Sequence, residues 1–167
     1  MNNISLIGYM GVGKSTVANC IGYLSEMTVI DIDNCIKEKE NMSINQIFQM
    51  KGENYFRDIE TYILETLQNK TNNTVISCGG GIILRDENIT YLKKLGKIVL
   101  LECSAKTIYE RIKNCDNRPI LNKNMSISYI ENMLESRFER YTQFADLIIN
   151  VENKSVNDIA KEIILQK

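Results

Sequence analysis

Short apolar runs alternate along this chain with longer stretches in which apolar residues return every three or four positions, and no repeat, low-complexity tract or linker interrupts the alternation. The runs at residues 4–7, 28–31, 74–77, 97–102 and 147–151 predict strands. Helical spacing predicts helices over 14–24, 35–38, 54–69, 87–95, 104–112 and 128–144, with a last one from Ser155. Ser43 to Gln46 form a capping-box pattern that starts a further short helix ending near Gly52. Strands and helices in alternation make a parallel sheet with helices on its faces. The one long segment with neither period is 113–126, which holds the single proline, Pro119, and long irregular loops of this kind tend to be lids or binding loops.

The first strand runs into Gly8-Tyr9-Met10-Gly11-Val12-Gly13-Lys14-Ser15, after which Thr16, Val17 and Ala18 open a helix. This is a P-loop in its proper setting: the glycines let successive N–H groups turn inward onto a di- or triphosphate at the positive end of the helix. Lys14 reaches the outer phosphates and Ser15 offers a hydroxyl to magnesium. A glycine-rich turn with an incidental lysine would not need all of Gly8, Gly13, Lys14 and Ser15 at this spacing.

Other candidates sit where strands end. Asp31-Ile32-Asp33 closes the second strand, and alternation in an extended segment would aim both carboxylates to one side at the carboxyl edge of the sheet, where open α/β sheets bind ligands. The competing reading is that Asp33 or Asn34 caps the next helix. Arg57 and Glu60 are three apart on a helix and share a face, and their weight depends on whether that face lines the site. Gly79-Gly80-Gly81 follow the third strand, either as a flexible turn or as a place where a ligand meets the main chain. Arg118 stands in the irregular segment, placed to close over phosphates.

Composition narrows the field. With 167 residues, 44% of them hydrophobic, the chain suits one well-buried domain. Twenty basic against twenty-one acidic residues leave a net charge of −1, so neither nucleic acid nor an anionic membrane is an expected partner, and positive charge acts locally. No signal segment or membrane span is expected, which reads as cytoplasmic. Five cysteines without a Cys-x-x-Cys pair argue against disulfides and zinc. There is no histidine, so a general base must be a carboxylate, lysine, cysteine or tyrosine.

Taken together, Gly8 to Ser15, Asp31-Ile32-Asp33, Phe56-Arg57-Asp58-Ile59-Glu60, Gly79-Gly80-Gly81, Arg118-Pro119-Ile120-Leu121 and Arg137 with Tyr141 resemble the shikimate kinases, from first strand to last helix. The resemblance implies a three-layer α/β P-loop kinase fold of the nucleoside-monophosphate-kinase type. It would have a five-stranded parallel sheet with helices on both faces, a core over 1–31, 74–112 and 126–167, a substrate-binding region over about 32–61 and a lid over about 113–125. It implies ATP-dependent phosphorylation of the shikimate 3-hydroxyl, a step toward aromatic amino acids, with Mg2+ as cofactor and a monomeric enzyme. ATP would be held by Gly11, Val12, Gly13, Lys14, Ser15, Thr16, Arg111 and Arg118, with Arg111 stacking on adenine and Arg118 on the β,γ-phosphates. Ser15 and Asp31 would serve the metal, Asp31 through water. Asp33 would be the base; Arg57, Glu60, Gly79, Gly80, Gly81 and Arg137 would bind shikimate; and Lys14, Asp33 and Arg118 would carry catalysis.

Two departures from the family pattern bear on these expectations. The usual proline between the last site arginine and the tyrosine is missing from Arg137-Phe138-Glu139-Arg140-Tyr141, so either Arg137 or Arg140 could face substrate, with alignment to Tyr141 favouring Arg137. The lid reads Arg-Pro-Ile-Leu rather than Arg-Pro-Leu-Leu, a mild change. A gluconate or nucleoside-monophosphate kinase would share the P-loop but need another acceptor site. An inert nucleotide-binding module would be expected to have lost Lys14, Asp33 or Arg118, and all three are present.

Overall fold

The computed structural model describes residues 3–113 and 126–166. Five strands, β1 (Asn3–Ile7), β2 (Thr28–Asp31), β3 (Thr74–Ser77), β4 (Gly96–Glu102) and β5 (Leu147–Asn150), pair in parallel in the order β2-β3-β1-β4-β5. Among the described residues seven helices connect and cover them: α1 (Lys14–Ser25), α2 (Ile32–Glu40), α3 (Ile44–Leu67), α4 (Asp86–Leu95), α5 (Ala105–Ile112), α6 (Ile127–Phe144) and α7 (Val156–Leu165).

The two-residue period of the strands builds two cores from one sheet. Ile4, Leu6, Val99 and Leu101 point to one face, where Val17, Ala18 and Ile21 of α1 and Ile159 and Ile163 of α7 cover them. Ile7, Ile76, Ile98 and Leu100 point to the other, against Ile36 of α2, Ile59 and Leu64 of α3, and Leu92 of α4. The result is the three-layer α/β arrangement expected, with the predicted strands in place.

Three local differences from the sequence-based expectation matter. The two helices expected on either side of Gly52 run on as α3, interrupted only at Gly52 itself, whose φ of 83° and ψ of 171° only glycine adopts readily. A single 3-10 turn at Ile82–Leu84, not anticipated, follows the glycine run. Helix α2 begins earlier than the periodicity implied: Asp31 is its N-cap, accepting the Asn34 N–H at 3.1 Å, so Asp33 lies in the first helical turn and neither Asp33 nor Asn34 is the cap. Helix geometry, not strand alternation, therefore sets the direction of the Asp33 carboxylate. One apolar residue between two aspartates is too short a stretch for either period to register.

β1 lies between β3 and β4, and the chain leaves it first toward β2 and β3 and then toward β4. The crevice beyond the carboxyl ends of β1 and β3 is thus the switch point of the sheet, where open α/β sheets bind ligands.

Candidate active site

The P-loop leaves β1 at Gly8 and enters α1 at Gly13, which has φ 108° and provides no side-chain cap. The first N–H groups of α1 therefore remain for an anion. Lys14 is buried, and its Nζ donates to the carbonyls of Gly8 at 2.7 Å and Tyr9 at 3.0 Å. Ser15 Oγ donates to Asp31 Oδ2 at 2.7 Å and lies 3.1 Å from Ser77 Oγ, so the ends of β2 and β3 meet the P-loop through hydroxyl and carboxylate oxygens. Arg111, near the end of α5, donates to the Val12 carbonyl at 2.8 Å. These groups line a cavity of about 430 Å³, which Lys154 and Val156 complete from the loop after β5 and the start of α7. Neither Lys154 nor Val156 carries a sequence signal that marks it as part of a site.

A second cavity of about 440 Å³ adjoins the first. Met10, Asp33, Gly79 and Gly80 line both. Arg57, Glu60, Gly81 and Arg137 belong to the second, together with Phe48, Phe56 and Asn45, for which the sequence suggests no role in a site. Arg57 and Glu60 are both buried and joined at 2.5 Å, with Glu53 on the other side of the guanidinium at 3.0 Å. A carboxylate this deep loses hydration that one arginine does not restore. Burial pushes Glu60 up to about 7 against the pull of Arg57, and the nearby Asp33 charge adds to the rise.

The glycine run is what lets these groups pack. A Cβ on Gly79 would stand 2.4 Å from Glu60 Oε1 and 3.3 Å from Asp33 Oδ1, and one on Gly81 would stand 2.5 Å from the Arg57 guanidinium. The run is thus a bare surface against which charged side chains rest, rather than a flexible turn. Its middle carbonyl, Gly80 O, accepts from Arg137 at 3.3 Å and from the buried Tyr141 hydroxyl, and burial pushes that phenol up to about 12. Arg137 also lies over the Tyr9 ring, 5.8 Å from its centre.

Arg140 points elsewhere, to the Ile83 carbonyl at 2.8 Å and Asp86 at 2.6 Å, so of the two arginines on α6 it is Arg137 that enters the cavity. Arg118 and Cys115 lie outside the described residues. Cys20, Cys35, Cys78 and Cys103 are free thiols, and burial drives the Cys78 thiol far above its ordinary range.

The family model for shikimate kinase matches residues 10–166. The chain belongs to the shikimate kinase family. Shikimate kinases from Sulfurihydrogenibium sp. and Dehalococcoides mccartyi resemble it closely in length and sequence: the first is 39% identical over 164 residues, 98% of this chain and 96% of its own, and the second 36% identical over 162, 97% and 91%. Among solved structures, the shikimate kinase from Acinetobacter baumannii in complex with shikimate superposes with a TM-score of 0.93 at 30% identity, covering 98% of this chain and 91% of its own. A gluconokinase from Sinorhizobium meliloti reaches a TM-score of 0.60 at 18% identity, which extends the fold and nothing more to that enzyme. The activity is therefore that of a shikimate kinase, in the shikimate pathway, and the family uses ATP. Among the described residues no helix is long and apolar enough to cross a membrane.

Proposed function

We propose that ATP occupies the P-loop cavity and shikimate the adjoining one, and that the terminal phosphoryl group passes to the shikimate 3-hydroxyl at the wall the two cavities share. The observation that carries this reading is the shared wall itself: Met10, Asp33, Gly79 and Gly80 border both spaces, so a group bound in one can meet a group bound in the other. Phosphoryl transfer asks a protein mainly for position and for neutralised charge. Asp33, a carboxylate on the shared wall, is assigned to accept the hydroxyl proton, a role no histidine is available to fill.

Arg57 and Arg137 are assigned to the shikimate carboxylate, because a planar anion is best held by guanidinium groups, and Glu60 keeps Arg57 in place. Gly79 to Gly81 present main chain to the ring hydroxyls. Lys14, with the amides of Gly11, Val12, Gly13, Ser15 and Thr16, is assigned to the ATP phosphates. To serve there Lys14 exchanges its bonds to the Gly8 and Tyr9 carbonyls for phosphate oxygens. Arg111, beside the P-loop, is assigned to adenine, and Arg118 to the β,γ-phosphates on the family pattern alone.

Two oxygen donors, Ser15 Oγ and Asp31 Oδ2, come together at 2.7 Å, a pair that suits a hard divalent cation. Ser15 and Asp31 would hold Mg2+ there, and it would supply neutralisation of phosphate charge. The enzyme is assigned to the cytoplasm as a monomer. Coupled measurement of ADP release with shikimate, gluconate and a panel of nucleoside monophosphates tests the reading: turnover with shikimate alone is expected, and turnover with gluconate alone would overturn it.

A further inference from the structure

The Arg57 guanidinium lies flat on Gly81, where a Cβ would stand 2.5 Å from Cζ, Nη1 and Nη2 alike. A contact through the face leaves the group free to turn in its own plane, and two carboxylates prevent this at its edges. Nη1 donates to Glu60 Oε2 at 2.5 Å, while Nε and Nη2 both donate to one oxygen of Glu53, Oε1, at 3.3 and 3.0 Å. Of the five N–H groups of an arginine, one on each terminal nitrogen remains. Arg57 stands on the wall of the acceptor cavity with its side chain only 9% exposed, whereas Glu53 is 60% exposed and lies off that wall. The break at Gly52 accounts for its place: α3 resumes after that residue, so Glu53 stands at the start of the resumed helix, with Arg57 one turn on along the same face. An exposed ion pair at this spacing adds little to the stability of a fold.

We propose that Glu53 is a positioning residue for acceptor binding, which fixes Arg57 in its plane so that the two remaining N–H groups are kept for the acceptor's carboxylate. This rests on the reading of Arg57 as the residue that holds that carboxylate. Glu53 itself touches no substrate. A long side chain that is loose in the empty site must be ordered when ligand binds, and holding it beforehand removes that cost from binding. The negative charge of Glu53 opposes an anionic acceptor, but water and salt screen it at an exposed position, whereas the two hydrogen bonds act at contact. Positioning therefore outweighs repulsion. Neither Glu53 nor Arg57 lines the P-loop cavity, so the effect is confined to the acceptor.

The test compares the wild-type chain with Glu53→Ala and Glu53→Gln, measuring steady-state constants for shikimate and ATP and the thermal midpoint of each protein. Alanine removes the tether. Glutamine removes the charge but offers a carboxamide oxygen at the same place, which still accepts from Nε and Nη2. In Glu53→Ala the KM for shikimate is expected to rise about 3- to 10-fold, with kcat and the KM for ATP within about 2-fold. Its thermal midpoint should stay within about 3 °C of wild type, as for the loss of an exposed pair. Glu53→Gln should recover most of the KM. An unchanged KM for shikimate in Glu53→Ala overturns the proposal, and a lowered one does so by showing that Glu53 competes with the acceptor for Arg57. A glutamine variant as impaired as the alanine one also overturns it, since orientation is then not what Glu53 provides. So does a loss of stability with constants for both substrates impaired together, which is the mark of a structural side chain. Failure of the wild-type protein to phosphorylate shikimate, or an Arg57→Ala variant with unaltered shikimate binding, would instead strike the reading of the cavity, so the two failures are distinct.

Discussion

Ser15 Oγ donates a 2.7 Å hydrogen bond to Asp31 Oδ2, and through that contact the last residue of the P-loop is tied to the end of the neighbouring branch of the sheet. Asp31 uses its other oxygen to cap α2. Asparagine caps a helix as well as aspartate does, so Asp31→Asn is expected to keep the fold and lose only the charge beside the hydroxyl. Its rate should fall at low magnesium and recover in large part as magnesium is raised, as when a cation site loses charge but keeps its shape. Initial rates over a magnesium series decide this, and a defect indifferent to magnesium would remove Asp31 from the metal.

Arg57→Ala leaves Glu60 buried at 0% exposure without its counter-ion and takes one cation from the acceptor cavity. Truncating one partner of a desolvated pair costs about 2–5 kcal/mol. Shikimate binding is expected to weaken by about 30-fold or more while ATP binding changes little, because Arg57 does not border the P-loop cavity. Separate titrations of the two ligands check the division, and weakened ATP with intact shikimate would move Arg57 to the nucleotide side.

Lys14→Met should reduce turnover by about 10²-fold or more, the usual effect of removing a preorganised charge at a transferring group. The structure adds a cost that the sequence pattern did not indicate. Lys14 is buried and ties together the carbonyls of Gly8 and Tyr9, so the variant should also lose on the order of 1–3 kcal/mol in chemical unfolding as two covered acceptors go unpaired. Near-normal turnover at full stability would refute both roles.

How far the chain declares itself depends on how local each interaction is. Residues 74–77 and 28–31 are strands where periodicity put them, and the P-loop forms from contiguous residues, so short-range pattern was enough. Arg137 and Arg140 are three apart on one helix and equally basic; what separates them is Asp86, 54 positions away, which takes Arg140 out of the cavity. The glycine run stood open between turn and binding surface until Arg57 and Glu60, about twenty residues earlier, came to lie against it.

Glu60 makes stability depend on pH with a definite sign. Its carboxyl is raised from 4.5 to about 7 in the folded protein, so the fold holds this proton more tightly than the unfolded chain does. The contribution is fully present below about pH 4.5 and is lost as pH rises through about 7, amounting to on the order of 3 kcal/mol. Glu60→Gln has no proton to lose. Denaturant midpoints followed from about pH 4.5 to 8 should therefore fall more steeply in wild type than in the variant, and parallel curves would show that Glu60 stays ionised throughout.

Asp33 distinguishes a proton acceptor from a charge that merely fills the site. Its carboxylate stands in the first turn of α2, beside Gly79 and near Glu60, on the wall both cavities share. Asp33→Asn keeps the size and hydrogen-bonding capacity of the side chain but cannot take the hydroxyl proton. It also removes a negative charge that raises the Glu60 carboxyl, so the variant should be no less stable than wild type and its Glu60 should titrate lower. Turnover is expected to drop by about 10²-fold or more at saturating shikimate, with shikimate still bound, and magnesium should restore none of it. That last point sets it against Asp31→Asn in one magnesium series: rescue of Asp33→Asn by excess magnesium, with Asp31→Asn left inactive, would mean that the two aspartates have exchanged roles and that the base must be sought elsewhere on the shared wall.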